Sequence, residues 1–106
     1  IHVIEGATGG PREVEGRPFD YAAMKTAYRA AGGRGAWMVN NGYDPRTAEA
    51  ALASGHADLV SFGKAFISMP DLAERIRRGG PYQGLDRATL YGGGAQGYID
   101  YPALAD

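Results

Sequence analysis

Three short apolar runs, each followed by a stretch of helical periodicity, constrain this chain more than any other feature. Ile1 to Glu5, Ala36 to Asn40 and Asp58 to Phe62 are rich in Val, Ile, Leu, Trp and Phe, as expected of buried strands. The alternation of strand and helix, three times over, predicts an α/β fold with a parallel sheet, because parallel neighbours need a crossover connection rather than a tight turn. Three such strands leave two open edges. The sequence therefore predicts that further polypeptide completes the sheet.

Local signals bound the helices. Asp20 is an N-cap type, with Tyr21, Met24, Tyr28 and Ala31 on one face before Gly32-Gly33; the spacing predicts a helix there. Asp44 caps a second helix whose first position holds Pro45 and whose alanine-rich body ends at Gly55. A third begins near Ser68-Met69-Pro70-Asp71. There the Ser68 and Asp71 spacing predicts a capping box, and Met69, Leu72, Ala73 and Ile76 are the expected buried face. Arg75, Arg77 and Arg78 fall near its C-terminal end, where the helix dipole favours cations.

Composition narrows the function. Eleven basic against twelve acidic residues leave a net charge of −1, which disfavours nucleic acid and anionic membranes as partners. The absence of cysteine excludes thiolate nucleophiles, zinc-thiolate sites and disulfides, and a cytoplasmic location is the expectation. No run approaches the ~20 apolar residues of a membrane span. The chain opens on Ile-His-Val-Ile without methionine, which reads as a strand whose predecessors lie elsewhere.

Two histidines offer little. His2, at a strand start, is expected in a core or interface, and His56, in a helix-to-strand turn, is expected in solvent; they are not spaced as a metal pair. Glu5, Asp44, Glu49 and Asp100 form no readable acid-base pair. Gly6 to Pro18 is a long loop after the first strand, a position that often carries function. The tail from Gly79 to Asp106, with Gly92-Gly93-Gly94 and Tyr82, Tyr91, Tyr98 and Tyr101, needs a surface to lie against.

Asn40-Asn41-Gly42-Tyr43-Asp44 follows the second strand and Ser61-Phe62-Gly63-Lys64 the third. Taken singly, each reads as an ordinary turn. Together they fit a (β/α)8 barrel, where the loops after the last two strands and a short extra helix frequently hold phosphate. Ala65 to Met69 leaves room for that helix. If these are the last strands of a barrel, Asn41, Gly42, Gly63 and Lys64 form the phosphate cradle. A complete barrel needs roughly 250 residues, and the chain has 106.

Phe62-Gly63-Lys64, Phe66-Ile67-Ser68-Met69-Pro70-Asp71-Leu72 and the run from Asp86 through Leu90-Tyr91-Gly92-Gly93-Gly94 to Gly97-Tyr98-Ile99-Asp100-Tyr101-Pro102 resemble the C-terminal signature of old yellow enzyme ene-reductases (NADH:flavin oxidoreductases). His2-Val3-Ile4-Glu5 and Asn41-Gly42-Tyr43-Asp44 resemble that family's sixth and seventh strand regions. The resemblance implies the C-terminal part of a TIM barrel, about strands six to eight, as one FMN-binding domain with residues 79–106 packed on it. It further implies FMN, reduced by NADPH or NADH, and reduction of activated C=C bonds in α,β-unsaturated carbonyl compounds. Asn41, Gly42, Gly63 and Lys64 would hold the FMN phosphate, and Tyr91 would reach over the substrate. The family usually has arginine where Lys64 stands; lysine keeps the charge without the bidentate fork.

The resemblance implies that the family's substrate-anchoring histidine with its histidine or asparagine partner, its proton-donating tyrosine and most flavin-ring contacts belong to earlier strands. No catalytic residue is therefore expected in this chain, which should be inactive until an N-terminal remainder joins it as another chain or segment. Two alternatives stay open: the phosphate-binding end of a different barrel, such as a phosphosugar isomerase or lyase, and a non-enzymatic α/β assembly module.

Overall fold

The apolar runs pair in parallel, and the order of the sheet follows the order of the sequence. In the computed structural model, β1 (His2–Ile4), β2 (Met38–Asn40) and β3 (Leu59–Val60) form a three-stranded sheet in the order β1-β2-β3. Val3 lies beside Val39 and Val39 beside Val60. Pairing extends past these limits: Glu5 N donates to Asn40 O at 3.1 Å, and Ser61 N to Val39 O at 2.9 Å. The structure describes residues 1–7, 10–16 and 18–105. Within the expected Gly6 to Pro18 loop, Thr8, Gly9 and Arg17 lie outside the described residues, as does Asp106 at the end of the tail; the loop's other members form no regular element.

Two compact units follow one another, Ile1–Ser61 and Phe62–Asp106. The first holds the sheet, α1 (Tyr21–Ala30) and α2 (Pro45–Ala53). Asp20 caps α1 by accepting from Ala23 N. Asp44 and Thr47 form a reciprocal capping box on α2, with Pro45 at its start. Trp37, Val39, Ala51 and Ala57 make the core, with Val3, Met24, Tyr28, Tyr43 and Val60 packed against it. These side chains occupy one face of the sheet because alternate strand residues point the same way. The other face presents Ile4 and Leu59 about half exposed. Tyr21, Met24 and Tyr28 share a half-buried face of α1, while Ala31, expected on that same face, is the exposed C-cap. His2 is not in the unit's core either; it is exposed and hydrogen-bonds Ser61 Oγ at 3.0 Å.

The second unit opens with α3 (Lys64–Ser68), the short extra helix the sequence left room for, followed by α4 (Leu72–Arg78) and a 3-10 helix at Arg87–Thr89. The Ser68–Asp71 capping box does not form. Ser68 is buried at the end of α3 and donates to Gln83 O at 3.3 Å. Asp71 instead accepts from Arg75 Nε at 2.7 Å and from Leu104 N at 2.7 Å. Arg75 is 3% exposed, not a solvated dipole partner. Its guanidinium also donates to Pro81 O and Pro102 O, each at 2.8 Å. One side chain thus clasps both ends of the tail to α4. Met69 and Leu72 are buried as expected, whereas Ile76 is only half-buried and Ala73 is exposed; the inward face of α4 runs through Leu72 and Arg75 instead.

Candidate functional site

The turn after β2 is built by a residue pair that tolerates left-handed backbone. Asn41 has φ 91° and Gly42 φ 69°; asparagine and glycine are the residues that adopt this conformation with least strain. Asn41 is the one non-glycine among the described residues with positive φ. Its side-chain amide donates to Glu5 O at 2.7 Å, Gly10 O at 3.2 Å and Ala7 O at 3.3 Å. The turn is therefore stapled to the loop that follows β1. Among the described residues, the amides of Gly42 and Tyr43 donate to no protein acceptor.

Below the turn sits a cluster that sequence reasoning missed. Glu5 is 3% exposed. Its carboxylate accepts from Tyr43 OH at 2.7 Å and meets His56 Nε2 at 2.5 Å. His56, expected in solvent, is thus a partner of a buried acid. Burial, then the bond to Glu5, pushes the Tyr43 phenol up to about 12. The Arg12 guanidinium lies 4.4 Å from the Tyr43 ring centre. A cavity of about 650 Å³ opens beside these groups, with Val14, Phe19, Tyr21 and Ala51 in its wall.

In the second unit, Gly63 is the N-cap of α3 and makes no side-chain cap bond. The first amides of any helix lack intrahelical partners of the regular kind; among the described residues no side chain bonds those of α3, and Phe66 N donates to Gly63 O at 3.0 Å. Lys64 is exposed and has no ion pair among the described residues. Tyr91 is 92% exposed. It borders a groove of about 360 Å³ formed with Phe66, Ile67, Pro70, Tyr98 and Tyr101. The fold thus brings Tyr91 and the outer face of α3 to one groove. Asn41 and Gly42 belong to the first unit, Gly63 and Lys64 to the second. The groove's apolar residues were visible in the sequence only as a tyrosine-rich tail and an unassigned Phe66-Ile67 pair.

The first unit thus offers the backbone amides of the turn after β2, and the second unit offers the start of α3 with its lysine and an aromatic groove. Among the described residues no cluster of His, Asp or Glu could hold a metal ion. The chain is 42% identical over 103 residues to a putative 12-oxophytodienoate reductase of Oryza sativa subsp. japonica, covering 96% of this chain and 24% of that relative. It superposes on the old yellow enzyme from Trypanosoma cruzi with a TM-score of 0.79 at 29% identity, covering 98% of this chain and 25% of that one.

The chain belongs to the old yellow enzyme family.

A variant of NCR from Zymomonas mobilis matches as well, with a TM-score of 0.78 at 33% identity over 97% of this chain and 32% of its own. No protein-family model matches. As a member of this family the chain is the C-terminal part of a (β/α)8 barrel, about strands six to eight. It spans about a quarter of the length of the curated relative. No helix among the described residues is long and apolar enough to cross a membrane.

Proposed function

We propose that this chain forms the cofactor-phosphate end and part of the substrate rim of an FMN-dependent ene-reductase in the cytoplasm. Similarity to reductases along nearly the whole chain carries the reading. The amides of Gly42 and Tyr43, which meet no acceptor among the described residues, and the start of α3, which has no side-chain cap, support it.

The FMN phosphate would be held by Asn41, Gly42, Gly63 and Lys64. Backbone N–H groups bind phosphate oxygens directionally. Gly42 and Gly63 leave those amides unshielded, and the Lys64 ammonium adds charge. When bound, FMN supplies the redox chemistry, taking a hydride from NADPH or NADH and giving one to the activated C=C bond of an α,β-unsaturated carbonyl compound. Tyr91 would lie over that substrate, with the apolar groove excluding water from its ring. Residues 79–106 would pack on the completed barrel. This chain donates no proton and anchors no carbonyl in the proposed scheme; those tasks fall to an N-terminal remainder, present as another chain or segment.

The test is complementation. Mixing this chain with the preceding strands should restore NADPH-dependent reduction of a cyclic enone, while the chain alone should give none. Full activity from the chain alone would overturn this division of labour.

A further inference from the structure

The cofactor turn has no side chain of its own to hold it at Gly42, so its position depends on Asn41 and Tyr43. Both are tied to Glu5. The Glu5 backbone carbonyl accepts from Asn41 Nδ2 at 2.7 Å, and its carboxylate accepts from Tyr43 OH at 2.7 Å. The other carboxylate oxygen meets His56 at 2.5 Å. Tyr43 precedes α2 and His56 follows it, so one acid at the end of β1 fixes both ends of that helix.

Burying a carboxylate is costly unless it is fully partnered, and an apolar residue of similar size commonly serves stability as well or better. A buried acid that brackets a left-handed glycine therefore calls for a role beyond packing. We propose that Glu5 is a positioning residue for the phosphate-binding turn, holding Asn41 through its backbone and Tyr43 through its carboxylate, with His56 orienting that carboxylate. The inference rests on the reading that Gly42 contacts the FMN phosphate.

The experiment measures the FMN dissociation constant of the complete barrel by flavin fluorescence. Glu5→Ala and Tyr43→Phe should each raise it roughly tenfold, as expected for loss of one well-placed hydrogen bond to a charged group. The double variant should be no worse than the more severe single. Glu5→Gln should stay within about threefold, because its amide oxygen still accepts from Tyr43. Leu72→Ala, a core lesion in the second unit away from Glu5, Tyr43 and His56 in the sequence, should lower the melting temperature and leave FMN affinity unchanged.

If Gly42→Ala weakens FMN while Glu5→Ala and Tyr43→Phe do not, the proposal fails and the phosphate reading stands. If Gly42→Ala has no effect, the phosphate reading fails and takes the proposal with it. If Leu72→Ala weakens FMN as much as Glu5→Ala at matched stability, Glu5 acts through stability alone and the proposal is overturned.

Discussion

Lysine at position 64 presents a point charge where the resemblance implies a planar fork, and the difference is measurable. In the assembled barrel, Lys64→Ala should raise the FMN dissociation constant by about tenfold, since a charge-assisted bond contributes roughly 1.5–3 kcal/mol, partly screened at an exposed site. Lys64→Arg should bind FMN at least as tightly as lysine. Equal affinity of all three would remove Lys64 from the phosphate site. Gly97 is constrained differently: its φ is 72°, and an added Cβ would fall 1.9 Å from Thr89 Oγ1. Gly97→Ala should speed amide exchange across the tail, with a cost of roughly 1–3 kcal/mol. At this scale the sequence was half legible. Asn41 and Gly42 announced a turn by residue type. The Glu5 cluster did not announce itself, because its partners are 38 and 51 residues away and no local pattern links them.

Among the elements, α2 was readable end to end because each of its signals is local: Asp44, Pro45 and Gly55 all act within one turn of an end. Asp44→Ala should lower the midpoint of a chemical denaturation series, since the cap and its reciprocal bond to Thr47 are lost. The start of α4 misled, since Ser68 and Asp71 have capping-box spacing but were claimed by Gln83, Arg75 and Leu104. Tertiary partners outcompeted the local motif. The Arg75 side chain, then the Leu104 amide, hold the Asp71 carboxyl below its usual range. A lowered folded value means the carboxylate stabilises above the unfolded value near ~4 and loses that contribution as pH falls through the folded value. Tail protection, followed by hydrogen exchange, should therefore fall on acidification below about pH 4, and Asp71→Asn should flatten that dependence. Unchanged acid sensitivity in Asp71→Asn would place the titrating group elsewhere.

For the molecule as a whole, sheet direction followed from three apolar runs joined by helices, whereas what surrounds them did not. A parallel sheet with two edges unpaired among the described residues, and Ile4 and Leu59 half exposed on one face, lacks the cover such sheets normally require. Isolated, the chain should melt broadly and self-associate as its concentration rises; a sharp, concentration-independent melt would show a self-sufficient fold. Family membership supplies the missing context, since the relatives are barrels of which this chain spans about a quarter to a third. The most direct test is a flavin titration. FMN added to this chain alone should keep its free fluorescence, whereas FMN added to the chain combined with the preceding strands should be quenched at one equivalent per barrel. Absence of stoichiometric quenching in the combined sample, or full quenching by the chain alone, would contradict the account.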